Sequence, residues 1–233
     1  MTELSPLITA LRATFAWHGT RITWVSQFLL ALIRVRTVNL TELATAFCGI
    51  AQPDAHYRRM QRFLKDVALT RAQIAAVVVQ WLPLGEKWLL CLDLTNWQFG
   101  SLNINILVLA VAYQGVAIPL LWMFLDKRGN SNSLERMALL KHFLSAFVRE
   151  RIQCLTADRE FIGTAWIKFL KRQHIRFRIR IKRNILVSNP SATSAIAAFR
   201  FFQNCRVGEA RLLSQRRRVW GDDGVCRRDA DQK

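Results

Sequence analysis

Two stretches in which an apolar run meets an acidic side chain constrain this chain more than any other feature. The first is Lys87-Trp88-Leu89-Leu90-Cys91-Leu92-Asp93-Leu94-Thr95-Asn96-Trp97, where Asp93 is the single carboxylate. An ionised carboxylate buried alone in such a run costs several kcal/mol unless something pairs with it, and a bound cation is an efficient partner. The second is Ile152-Gln153-Cys154-Leu155-Thr156-Ala157, which runs into Asp158 and then Arg159-Glu160-Phe161-Ile162-Gly163. For either aspartate alone the ordinary reading is a cap, Asp93 of a turn and Asp158 of the following helix. As a pair of strand-end carboxylates in a very basic chain, they point to metal-assisted phosphoryl chemistry.

The basic character follows from 34 Lys and Arg against 16 Asp and Glu, a formal net charge of +18. Such a balance favours a polyanion, because neutralising phosphates releases counterions and gives affinity before any base is read. Double-stranded DNA is the first expected partner and an anionic membrane surface the second. At 233 residues and 52% hydrophobic the chain can build one large core or two modest ones, which excludes a disordered polypeptide. Five widely spaced cysteines without a CxxC pair read as reduced thiols, and no basic segment precedes an apolar core at the N-terminus. The expected location is therefore cytoplasmic, on the nucleoid. Residues Ile104 to Leu125 imitate a membrane span, but Asn105, Gln114, Gly115 and Pro119 interrupt them. Gln114-Gly115 makes a turn between two strand-length pieces, so a buried hairpin is expected and no membrane helix.

In chain order, helical spacing from Leu4 to about Arg36 predicts two helices broken at Gly19-Thr20, with Ile22, Val25, Phe28, Leu29, Leu32 and Ile33 as the apolar stripe. Asn39 is placed to cap a third helix, with Glu42 reaching back to it, and that helix is expected to stop near Gly49. Pro53 and Asp54 open a fourth, in which Arg58, Arg62 and Lys65 share a face beside Arg59, while Met60, Phe63 and Leu64 turn inward. Two short helices, the second with a basic face, suit a helix-turn-helix, although a charge stripe is more often a solvated face. His56 reads as a surface residue. A helix over Arg71 to Trp81 ends at Pro83 and Gly85.

Strand patterns follow at Trp88–Leu94, Asn103–Tyr113 and Val116–Leu125. A polar loop, Lys127 to Asn132, leads to a helix capped by Ser133, then to the strand reaching Asp158 and a helix over Ile162–Arg172. From Ile175 to Lys182 apolar residues alternate with Arg176, Arg178, Arg180 and Lys182, a strand with one core face and one phosphate-facing or merely wet face. Three strands, a helix, a strand, a helix and a strand is the order of the ribonuclease H-like fold. There the first and fourth strands lie side by side and their carboxylates converge, as a two-metal site with ions about 3.5–4 Å apart needs. The fold class expected is α+β, an N-terminal helical DNA-binding domain followed by an incomplete ribonuclease H-like mixed α/β domain. Its divisions fall at 1–83, 84–187 and 188–233.

Cys91-Leu92-Asp93-Leu94-Thr95, the Lys127-Arg128-Gly129-Asn130-Ser131 loop before a helix, and Thr156-Ala157-Asp158-Arg159-Glu160-Phe161 together resemble the DDE transposases of the insertion-sequence-four group. The resemblance covers about residues 1 to 220. It implies cut-and-paste movement of a bacterial insertion sequence, with three carboxylates holding two Mg2+ ions, or Mn2+ as a substitute. Asp93 matches the first carboxylate and Asp158 the second. Arg159 and Glu160 would shape the site or touch DNA, and the N-terminal helices would read the element ends. By the same resemblance a homodimer would act on paired ends.

The family's third carboxylate is a Glu within a spaced Tyr, Arg, Glu, Lys signature. This chain has two tyrosines, Tyr57 and Tyr113, and neither begins that spacing. Glu209 is the nearest late Glu, but it precedes the region where the family Glu would sit, and Glu135 is a weaker substitute. Past Trp220-Gly221 the text loses strand periodicity, the mark of a frameshift or early stop. Ser188 to Ser194 reads as a linker, and little stable structure is expected beyond Arg200. The expectation is a transposase that binds DNA and cuts weakly or not at all. Its alternative is a non-catalytic DNA-binding remnant or regulator.

Overall fold

The computed structural model describes residues 4–47, 51–189, 194–206, 209, 211–213, 215–219, 222–224 and 227–228. They belong to two compact units, Met1–Leu82 and Pro83–Lys233.

The first unit is helical: α1 (Ser5–Thr14), α2 (Gly19–Val35), α3 (Leu40–Thr45), α4 (Pro53–Asp66) and α5 (Arg71–Trp81). Its core gathers Leu11, Ile22, Trp24, Val25, Phe28, Leu43 and Met60. The break expected at Gly19-Thr20 lies one turn earlier. Phe15 stacks on Trp17 at 4.2 Å, and His18 caps α2 by accepting from the Thr20 amide, so Gly19 already belongs to the helix. Of the α2 stripe, Ile33 is exposed.

Asn39 does cap α3, with Thr41 N donating to its Oδ1 at 3.0 Å. Glu42 reaches the Asn39 side-chain amide at 2.7 Å, while the Asn39 backbone N–H goes to Thr37 Oγ1. That helix ends at Thr45, ahead of the stop expected near Gly49, which lies outside the described residues. On α4, Met60 is fully buried and Phe63 half-buried, but Leu64 is 58% exposed, because the inward stripe is too narrow to take both. His56 is buried rather than at the surface, its ring stacked on Phe47 at 4.6 Å.

The second unit is built on a five-stranded mixed sheet in the order β3-β2-β1-β4-β5. The strands are β1 (Trp88–Phe99), β2 (Leu102–Tyr113), β3 (Val116–Leu125), β4 (Ile152–Ala157) and β5 (Phe177–Ile179). The first three form an antiparallel meander, and β4 and β5 run parallel to β1. The apolar stretch 104–125 is the expected hairpin: Tyr113 pairs with Val116 across Gln114-Gly115, which take φ of 48° and 82°. Two successive left-handed residues give a turn whose twist suits the flanking strands. No helix among the described residues is long and apolar enough to cross a membrane.

Strand β1 outlasts its apolar text by five residues, because Thr95 to Phe99 pair with Leu102 to Ile106 of β2. Period two along β1 buries Trp88, Leu90 and Leu92 and leaves Leu89 and Cys91 half-buried on the other face. Helix α6 (Ser133–Ala146) packs on β2, β3 and α7 (Thr164–Arg172). Phe143, Phe161, Trp166 and Leu170, all fully buried, fill the layer. The α6 N-cap is Asn132, one residue before the expected Ser133. Asn132 accepts from Glu135 N at 3.0 Å and donates its own N–H to Glu135 Oε2 at 2.7 Å, a reciprocal pair that Ser133 would be one residue too late to make.

Beyond Arg200 the described residues include short regular segments, where little stable structure is expected. A 3-10 turn, Ala198–Phe202, is followed by β8 (Arg211–Leu212), β9 (Arg217–Val219), β10 (Asp222–Gly224) and β11 (Arg227–Arg228). Before that turn, β6 (Leu186–Val187) pairs with β7 (Ile196–Ala197). Ladders β9–β10 and β8–β11, with a bridge from Ser188 to Arg218, supply backbone hydrogen bonds that a loss of apolar periodicity does not forbid. Residues 190–193 of the expected linker and 229–233 of the tail lie outside the described residues.

Candidate active site

Register brings the residues before the two aspartates side by side. Strands β1 and β4 pair Leu89 with Cys154, Cys91 with Thr156 and Leu92 with Ala157. Asp93 and Asp158 are the next residues on each strand path. Alternation sets Asp93 on the less buried face of β1, the face of Cys91, and Asp158 follows directly after the last β4 pair. Their charges reach one common neighbour: the Glu160 carboxyl has its pKa raised, first by burial, then by Asp93 and by Asp158.

Asp93 is exposed, not buried as its apolar surroundings suggest, and its Oδ1 accepts from Leu94 N at 2.8 Å. No large desolvation cost therefore attaches to it. Its charge is felt instead by Cys91, whose thiol is pushed up by burial and then by Asp93. Asp158 sits where β4 ends and the chain turns, with Phe161 N donating to its carbonyl at 3.0 Å. Arg180 Nη1 stands 3.6 Å from Asp158 Oδ1, and both side chains are about half exposed, so the pair is worth little in stability.

Beside Asp158 lies an open cavity of about 670 Å³, lined by Asn130, Asp158, Arg159, Glu160, Ile162 and Lys182 among others. The polar loop after β3 thus faces the turn after β4. Arg176, Arg178 and Arg180 are exposed beside half-buried Phe177 and Ile179, as the alternation foretold. Among the described residues, no three or more His, Cys, Asp or Glu side chains converge as a ready metal cage. Two carboxylates with oxygen donors alone nevertheless suit Mg2+, which keeps several waters and takes one or two carboxylates. Of the substitutes for a third carboxylate, Glu135 is committed to the α6 cap and to Lys127 at 2.8 Å. Glu209 accepts from Arg206 N and pairs with Arg211 at 3.0 Å.

Sequence reasoning missed two residues that build this site. Arg136 of α6 is 4% exposed, and its guanidinium donates to Ser131 Oγ at 2.9 Å, to Ser131 O, to Glu160 O at 3.1 Å and to Ile162 O at 3.1 Å. It also lies over the Phe161 ring at 5.2 Å. Burial lowers its pKa, and Glu160 and then Glu135 work against that. Asn105 of β2, 1% exposed, donates its amide to Lys127 O at 3.3 Å and to Gly129 O at 2.6 Å, holding the loop that carries Asn130. The available signal was a polar residue inside an apolar run; for Arg136, one arginine in a helix gave none.

In the helical unit Arg58, Gln61, Arg62 and Lys65 line one shallow depression of about 560 Å³ on α4. Arg59 lies apart from that row, over the Trp24 ring at 5.2 Å, with its pKa lowered by burial and then by Arg62.

The sheet is a three-strand antiparallel meander flanked by two parallel strands, with Asp93 on β1 and Asp158 one residue past the end of the adjoining β4. No protein-family profile matches the chain, and no curated protein matches it. Among solved structures it is similar to the HTLV-2 integrase catalytic core domain in complex with magnesium, in its dimeric form, at 14% identity and a TM-score of 0.32. That match covers 42% of this chain and 62% of the other. A chain of the simian T-cell lymphotropic virus intasome in complex with the PP2A regulatory subunit B56 gamma matches at 14% identity and a TM-score of 0.34, covering 43% and 34%. The chain therefore spans less than two thirds of the length of the structures it matches.

Proposed function

We propose that the sheet unit is a divalent-metal-dependent DNA strand-cleavage and strand-transfer core of the DDE transposase type, with Asp93 and Asp158 holding the metal. The observation that supports this reading is the parallel β1–β4 register, which pairs Leu92 with Ala157, the residues just before Asp93 and Asp158. Mg2+ bound there would supply an activated water or 3′ hydroxyl and charge stabilisation at phosphorus. Arg159 and Lys182 line the cavity beside Asp158 and would hold a phosphodiester in it. Arg178 on β5 and Arg180 just past its end continue that basic path. The likeness of the Cys91–Thr95, Lys127–Ser131 and Thr156–Phe161 segments to the insertion-sequence-four group supports assignment to that group. On the same reading the α4 row of Arg58, Arg62 and Lys65 contacts the element's ends, and paired copies act on two ends.

This chain presents two of the three carboxylates such a site uses, so it binds DNA well and cuts weakly. A gel assay on end-bearing DNA with and without Mg2+ tests this. The expected result is a stable complex with faint cleavage that Asp93→Asn or Asp158→Asn abolishes. Efficient cutting by the unaltered chain would refute the weak-cutting claim, and cutting indifferent to both substitutions would refute the site.

A further inference from the structure

The guanidinium of Arg136 joins two segments that are far apart in sequence and that face each other across the cavity beside Asp158. On one side it takes both polar oxygens of Ser131, in the loop that presents Asn130; on the other it takes the carbonyls of Glu160 and Ile162, in the turn that presents Asp158. A planar fork with five fixed donors can satisfy several acceptors at once, whereas an ammonium presents three donors from one point. The ends of the two segments also lie close: a Cβ added at Gly163 would stand 3.1 Å from Ser133 Oγ, so an alanine there would crowd that hydroxyl.

We propose that Arg136 is the positioning residue of the candidate active site, clamping the Asn130 loop to the Asp158 turn so that the carboxylate stands at a fixed place in the mouth that receives metal and phosphodiester. This rests on the metal-binding reading of Asp93 and Asp158. Arg136 touches neither reacting atom; it acts through backbone carbonyls, as partners behind a metal ligand commonly do.

The test uses the whole chain, metal-free and with Mn2+. Arg136→Lys keeps the charge and loses the fork, Gly163→Ala crowds the Ser133 hydroxyl between the segments without touching the charge, and Leu109→Ala is a core truncation in β2 as control. Hydrogen exchange should rise together in residues 128–132 and 158–162 for Arg136→Lys and Gly163→Ala. Mn2+ binding should weaken by about 10- to 100-fold for Arg136→Lys, and the control should leave it within about twofold of wild type. Wild-type Mn2+ affinity in Arg136→Lys, or loss equal to that of the control, overturns the proposal. If the unaltered chain binds no Mn2+, the metal reading fails instead, and the clamp is judged on exchange alone. Joint release of both segments then supports it, and release of one or neither overturns it.

Discussion

Replacing Asn105 by Ala removes the link between the central sheet and the loop that carries Asn130. The Asn105 amide makes two hydrogen bonds, one good at 2.6 Å and one long at 3.3 Å, from a side chain with 1% of its surface exposed. A net hydrogen bond contributes about 1 kcal/mol, and a buried carbonyl left without a donor costs about 1–3 kcal/mol. Gly129 is exposed, so water can replace the lost donor and that bond counts in the first class, while the Lys127 bond, at the edge of geometric acceptability, counts for less. Together they make a loss of about 1–2 kcal/mol, which at this chain length lowers the thermal midpoint of the sheet unit by about 2–8 °C. Thermal unfolding followed by circular dichroism, with hydrogen exchange at 127–130, reads both effects. A midpoint within about 1 °C of wild type, with exchange in the loop unchanged, would refute the reasoning.

The α4 row predicts a salt signature: Arg58→Ala, Arg62→Ala and Lys65→Ala should each lower the slope of log affinity against log salt by about 1, uniformly across DNA sequences, in anisotropy titrations. An unchanged slope would leave the row a solvated face. For Glu160 the sign follows from its raised carboxyl pKa, caused first by burial and then by Asp93 and Asp158. The folded chain binds this proton more tightly than the unfolded chain, so stability falls as pH rises from the ordinary glutamate value through the raised one. Glu160→Gln should therefore be more stable than wild type at neutral pH in metal-free buffer and equal to it well below the ordinary glutamate value. Denaturant unfolding at several pH values checks this, and a constant difference would contradict it.

Much of the fold was legible because its signals are local. Gln114-Gly115 between two apolar runs fixed the hairpin, and the Ile175 to Lys182 alternation gave the exposed arginines beside half-buried Phe177 and Ile179. The end of β4 just before Asp158 was readable as text, whereas Asp93 lies inside β1, which continues to Phe99. What the text hid was decided by tertiary pairing. Thr95 to Phe99 are strand because β2 offers a ladder, and Leu64 is outside while Met60 and Phe63 pack on the helical core. His56 is inside because Phe47 covers it. The exposure of Asp93 depends on which face of β1 the helices cover, which period two alone does not say. Arg136 was illegible because its partners are backbone carbonyls, which every residue has.

The central claim is that Asp93 and Asp158 hold one divalent ion between them, and a double-mutant cycle on Mn2+ binding tests it most directly. Calorimetric titration of the chain, Asp93→Asn, Asp158→Asn and the double variant separates a shared ion from independent effects. The account predicts that each single substitution removes most of the affinity and that the double removes little more. Equal affinity in all four proteins, or losses that simply add, would contradict it.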